Sequence, residues 1–127
     1  MISFDELVTL EDDLVLVKTV GKYDFSELFG FLERVKAKAG EVGRDHILID
    51  SRRLEGQMTE AERFAGGQKI AEVFGSRFKV ALLMPADGIT KLGELAAVNR
   101  GARFLVTASE DDALEWLSGS ESARPVS

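Results

Sequence analysis

Three short apolar runs constrain this chain more than anything else in it. Ile47-Leu48-Ile49, Phe78 to Met84 (FKVALLM) and Phe104-Leu105-Val106 are nearly free of polar residues, and Pro85 closes the second. A strand with one wet face alternates apolar and polar residues, whereas a strand covered on both faces does not. The runs are therefore expected as interior strands, with Ile47–Ile49 near the middle of a sheet. Parallel strands need long crossovers between them, and the intervening segments carry the helical period that such crossovers require.

The first of these segments follows Asp24, which forms a capping-box pattern with Glu27 and precedes Phe25, Leu28, Leu32 and Val35 at helical spacing. This helix is expected to reach about Ala39, with Gly40 and Gly43 as stops. A second helix, over about 60–74, places Phe64, Gly67, Ala71 and Phe74 on one side and ends at Gly75. The missing side chain at Gly67 predicts a close approach of its backbone to the sheet. After an Asp87-Gly88 turn, a third helix carries Leu92, Leu95 and Ala96 inward and stops near Gly101. Ser109 caps a last short helix holding Ala113, Leu114 and Leu117. Upstream, residues 2–10 and 14–20 read as two strands around Glu11-Asp12-Asp13, an N-terminal antiparallel hairpin. The order is ββαβαβαβα. It describes an α/β fold with a mixed, largely parallel β-sheet and helices packed on it.

A chain of 127 residues has material for one core. Residues 1–118 are expected to form a single domain, and the small polar residues 119–127 a flexible tail. No apolar run approaches the roughly 20 residues of a membrane-spanning helix. Asp5 and Glu6 stand where an export signal would carry bases, so a cytoplasmic location is expected. The absence of cysteine excludes disulfides and thiolate chemistry. A net charge of -6 argues against nucleic acid as a partner, since phosphate binding rests on Lys and Arg. The adjacent pair Arg52-Arg53 reads as two solvated loop residues.

Catalysis finds little to use. The single histidine, His46, begins a strand, and neither a Gly-x-Ser-x-Gly elbow nor a phosphate-cradling glycine loop occurs. Gly66-Gly67-Gln68-Lys69 falls inside the second helix. Asp12-Asp13 suits a turn, and Asp111-Asp112 suits the first turn of a helix, where negative charge is favoured. No catalytic residue, cofactor or metal ligand is expected, and the chain reads as a non-enzyme.

The segment ILID (47–50) running through a loop to a helix opened by Thr59, the later KVALLMPAD (79–87) and the closing EDDALEWL (110–117) together resemble the SpoIIAA-like proteins of the STAS group. That group is structurally related to CRAL-TRIO lipid-binding domains. The resemblance covers residues 1 to 118. In STAS anti-sigma antagonists a strand ending in aspartate leads to a serine at the next helix start, and a partner kinase phosphorylates it. The resemblance thus implies Asp50 as the strand-end acid and Thr59 as the position nearest the phosphorylated hydroxyl. Ser51 is an alternative hydroxyl. The loop from Asp50 to Thr59, Arg53 included, becomes the surface for a protein partner. The Asp-Ser-Ser-Gly-Leu run of those proteins is not present, and the loop here reads Glu55-Gly56-Gln57-Met58.

Read from the residues alone, Thr59 with Glu62 is a capping box, a structural role that needs no regulation. Asp50 would fix the loop by accepting backbone N–H bonds, and Ser51, at a strand exit, would bond local backbone. The lipid-binding kinship implies a second function: binding or carriage of a small apolar or lipid-like molecule in a groove between the second or third helix and the sheet. Met58, Phe64, Phe74, Phe78 and Met84 would line it, although core packing explains the same residues. Trp116 either marks a contact surface or closes the core's edge, and an edge strand or exposed aromatic would support a homodimer. The expected function is a non-enzymatic STAS-like regulatory or protein-interaction module, with the choice between a phospho-switch at Thr59 or Ser51 and a plain helix cap left open, and the small-ligand carrier is its alternative.

Overall fold

The structure is a computed structural model that describes residues 4–11, 14–86 and 91–118, with the backbone alone for 4–11. The expected turns at Asp12-Asp13 and Asp87-Gly88 and the expected tail 119–127 lie outside the described residues. Five strands stand side by side in chain order: β1 (Phe4–Glu11), β2 (Leu14–Lys22), β3 (His46–Glu55), β4 (Lys79–Leu83) and β5 (Arg103–Thr107). Strands β2 to β5 are parallel, and β1 lies antiparallel along β2, from Phe4 opposite Gly21 to Glu11 opposite Leu14. The connections through α1 (Phe25–Val42), α2 (Glu60–Phe74) and α3 (Leu92–Val98) each step one strand further in the same direction. Because parallel crossovers share one hand, the three helices belong on one face. The last helix, α4 (Glu110–Ser118), is not a crossover and covers the other.

Strand alternation sorts side chains between two cores. Ile47, Ile49, Val80 and Phe104 pack on Phe31, Leu32 and Val35 of α1 and on Ile70 and Phe74 of α2. Leu48, Ala81 and Leu83 point the opposite way, onto Ala113 and Leu117 of α4. Strands β3 and β4 are thus apolar on both faces, as their unbroken runs require. Lys79, only 2% exposed, opens β4 within this arrangement. Its Nζ sits 4.7 Å from the Trp116 ring centroid and donates to the Trp116 carbonyl. Trp116 therefore closes the edge of the smaller core over a buried cation.

Several local expectations are corrected by packing. The Asp24 carboxylate caps α1 through Ser26, accepting from its N–H at 3.0 Å and its hydroxyl at 2.8 Å, where the sequence pattern pointed to Glu27. The helix passes Ala39 and Gly40 and ends at Val42, with Gly43 at φ 73 as its left-handed cap. Ala39 is buried in the core, so tertiary contact carries the helix beyond the first glycine. Phe64 and Leu95, expected inward, are 41% and 54% exposed. The close approach at Gly67 is made to α3, not to the sheet: a Cβ there would stand 2.2 Å from the Gly93 carbonyl oxygen and 2.9 Å from the Ala96 Cβ. Two helix backbones meeting through small residues bury Gly66, Gly67, Ala96 and Ala97, and that orientation turns Phe64 and Leu95 outward. The Arg100 guanidinium lies 5.7 Å from the Phe64 ring centre.

The outer edge of β5 is closed by α3. Lys91 Nζ donates to the Val106 carbonyl at 2.7 Å, the Val106 N–H donates to Glu94 Oε2 at 3.1 Å, and the two side chains pair at 3.0 Å. Side chains that occupy these edge groups compete with pairing by a second chain at Val106.

Candidate functional site

The working end of a parallel sheet is the carboxyl end of its strands, where the loops gather. Here that end is shaped by an irregularity in β3. Its pairing with β4 stops at Asp50 opposite Leu83, but the strand continues along β2 to Glu55. Between the pairs Lys18/Asp50 and Val20/Arg53, β2 supplies one residue, Thr19, while β3 supplies two, Ser51 and Arg52. This is a β-bulge, and the extra residue reverses the facing of everything after it. Ser51 and Leu54, three residues apart, consequently line the same cavity on the three-helix face.

Asp50 therefore stands within a strand, not at its end, and Arg52 and Arg53 belong to that strand rather than to a solvated loop. The Arg52 guanidinium grips both Asp50 oxygens, at 2.9 and 2.8 Å, and the Arg52 N–H donates to the same carboxylate at 3.1 Å. The guanidinium also reaches Glu110 at 3.3 Å, tying β3 to the first turn of α4. The Arg52 hydrogen bonds, outweighing the opposing effect of burial, hold the Asp50 carboxyl below its ordinary range. Asp50 fixes local backbone as the residues suggested, through Arg52. Ser51 does not bond local backbone: it is 7% exposed, and its hydroxyl accepts from Thr19 Oγ1 at 2.8 Å across 32 residues of chain. Buried inside the domain, it is out of reach of a modifying enzyme in this fold. Arg53 is exposed.

Thr59 is exposed and caps α2 with both halves of the capping box formed. Its hydroxyl accepts from Glu62 N at 3.1 Å, and Glu62 Oε1 accepts from Thr59 N at 3.1 Å. The Tyr23 hydroxyl donates to that same Glu62 oxygen at 3.4 Å. Burial first, and then the Glu62 carboxylate beside it, raises the Tyr23 phenol above its ordinary value, so it remains a donor. The helix start is thereby fastened to the segment between β2 and α1.

Beneath α2 lies a cavity of about 170 Å³. Its floor is β-sheet, with Thr19, Ile49, Ser51, Leu82 and Val106; its roof is Gly66, Gly67 and Ile70 of α2. Exposed Gly56 and Gln57, with Met58, form the rim. Met58 and Met84 line it. Phe64, Phe74 and Phe78 do not: Phe64 faces outward, and Phe74 and Phe78 pack edge-to-face in the core with centroids 5.7 Å apart. The sequence carries no signal for the lining residues Thr19, Tyr23 and Gly66, which reach the cavity from three separate elements.

A parallel block in chain order, with three crossover helices on one face, a fourth on the other and its irregular end at the β3–α2 loop, is a SpoIIAA-like fold. The crystal structure of an anti-sigma factor antagonist from Mycobacterium paratuberculosis shares it with a TM-score of 0.63 and 17% identity, covering 91% of this chain and 95% of that one. The anti-sigma factor antagonist SpoIIAA in its unphosphorylated form shares it at 0.55 and 13% identity, over 91% of this chain and 98% of that one. No family model and no curated protein matches the sequence. Among the described residues, no helix is long and apolar enough to cross a membrane, and no group of three or more His, Cys, Asp or Glu is placed to hold a metal ion.

Proposed function

We propose that this chain is a non-enzymatic regulatory module that works by binding another protein, at a surface formed by the β3–α2 loop and the outer side of α2 and α3. The observation that carries this reading is the placement of exposed apolar side chains. Phe64, Leu95 and Val98, three of the four large hydrophobic residues exposed among the described ones, belong to the tightly packed α2–α3 pair, and Phe64 lies little more than one turn from Thr59. Large apolar side chains exposed together on one helix pair, unlike ones scattered singly, support a contact surface there. The fold likeness to two anti-sigma factor antagonists supports the same reading.

The test compares baits in an affinity capture. A protein retained by the wild type should be lost, or bound about tenfold more weakly, by Phe64→Glu and by Arg53→Glu, since a charge in a desolvated contact costs more than 1.4 kcal/mol. Lys36→Glu on the exposed face of α1 should change nothing. Equal retention by all four baits would remove the proposed surface.

Phosphorylation at Thr59 is a finer version of this reading, supported by an exposed hydroxyl at the start of a 15-residue helix. A phosphate at a helix N-terminus is electrostatically favoured. Thr59→Asp preserves a capping side chain while adding charge. Partner binding weakened by Thr59→Asp but kept by Thr59→Ala supports a switch; binding indifferent to both leaves Thr59 as a cap alone.

A further inference from the structure

We infer that the cavity beneath α2 is a binding site for a small neutral aromatic molecule, a single ring bearing one hydrogen-bonding substituent. This goes beyond the protein-binding reading and does not depend on it.

Size sets the first limit. At about 170 Å³ the cavity is close to an engineered core cavity of roughly 150 Å³ that stays dry and takes up benzene. It is too small to enclose a long acyl chain, so lipid carriage, the wider form of the alternative function, does not fit it. The wall sets the second. Phe31, Phe104 and Tyr23 offer ring edges and faces, and Met58 and Met84 offer polarisable sulfur, which together favour an aromatic occupant.

One polar point is set into this surface. Thr19 and Ser51 are 1% and 7% exposed, and their hydroxyls share one hydrogen bond of 2.8 Å. The pair carries two protons and uses one between its members, so one is left to donate to an occupant's neutral acceptor. Two ionic side chains stand in the wall, Arg63 and Glu94, and both are engaged within the protein, Glu94 by Lys91 and the Val106 N–H. Neither is left to compensate the desolvation of an ionic ligand.

The roof supplies an independent argument. Glycine within a helix is unfavourable relative to alanine, so an interior glycine needs a reason. Gly67 has one, since α3 backbone fills the space a Cβ would take. Gly66 has none of that kind: its Cβ would meet only the flexible side-chain ends of Leu28 at 3.3 Å and Met58 at 3.7 Å. What a side chain at 66 would reduce is the cavity.

The experiment titrates phenol into the isotopically labelled 127-residue chain and follows backbone amide resonances, with toluene and benzoate as comparators. Phenol should bind saturably, with shifts at Ile49, Ser51, Gly66 and Val106 that extend to Gly56 and Met58. It should bind about threefold to tenfold more tightly than toluene, the worth of one hydrogen bond. Benzoate should bind at least about tenfold more weakly than phenol. Ser51→Ala should bring phenol and toluene to equal affinity, and Gly66→Leu should abolish both. Val106→Leu, a smaller filling of the floor, should weaken both and covers the case in which Gly66→Leu does not fold. Non-saturable phenol binding, benzoate as tight as phenol, or affinities untouched by Val106→Leu and Ser51→Ala would each overturn the inference. Because the isolated chain is used, failure to find a protein partner has no bearing on the result.

Discussion

Gly66 and Gly67 are chemically identical neighbours in one helix turn, and their surroundings give them opposite predicted responses to a methyl group. At Gly67 an added Cβ would overlap the Gly93 carbonyl and the Ala96 methyl, both anchored to α3, so α2 and α3 would have to part. Gly67→Ala is expected to cost about 1–3 kcal/mol or more, the usual range for forced overpacking. At Gly66 the same change meets only side-chain ends, Leu28 at 3.3 Å and Met58 at 3.7 Å, so a shift of a few tenths of an ångström by Leu28 is set against a helix-propensity gain of up to about 1 kcal/mol. Urea denaturation of the two variants reads the contrast directly; equal costs would mean that α2 and α3 are not in close contact. Thr59→Ala should cost about 1 kcal/mol for loss of the capping bond to Glu62, whatever its effect on partners. The role of Gly66 could not be read from its letter. Gly67 was legible as a point of close approach, but which neighbour it approached depended on how α2 rotates.

Among the elements, β3 carries the most information. Its first half was legible because Ile47, Leu48 and Ile49 are buried on both faces, a condition imposed by composition alone. Its second half was not, because a bulge leaves no mark in the letters: SRRLE reads equally well as strand or as loop. The bulge places Leu54 beside the cavity and leaves Arg52 to bridge Asp50 and Glu110. That bridge has a pH signature. With its folded-state pKa below the ordinary value, chiefly through the Arg52 hydrogen bonds, Asp50 contributes stability that is fully present above the ordinary carboxylate pKa and is lost as pH falls through the lowered one. Arg52→Gln should therefore be less stable than the wild type at pH 7, and the gap should narrow as pH is lowered from about 5 toward 2. Urea midpoints at several pH values check it, and a gap that widens on acidification would rule out the assignment.

For the molecule as a whole, the unequal covering of the two sheet faces is the controlling feature. Three helices share one face, while Leu48, Ala81 and Leu83 on the other rely on α4 alone. A chain ended after Thr107 would expose these residues and uncover Lys79 from Trp116. It is expected to lose cooperative unfolding and to associate, measured by circular dichroism and size-exclusion chromatography; a monomeric, cooperatively folded fragment would contradict this account of the smaller core. Leu117→Ala tests the same point more gently, with an expected loss of about 2–5 kcal/mol.

By itself the amino-acid sequence determined the order of strands and helices, the burial of β3 and β4 on both faces, and the caps at Asp24, Thr59 and Ser109. These follow from interactions within a few residues of one another or from hydrophobic pattern, and both are properties of the linear chain. Only the tertiary structure decided which residues enclose the cavity, that Ser51 is shut inside with Thr19, and that Phe64 and Leu95 face outward. Those outcomes depend on a bulge in one strand and on the contact between two helix backbones, and such geometry exists only once distant segments have packed together.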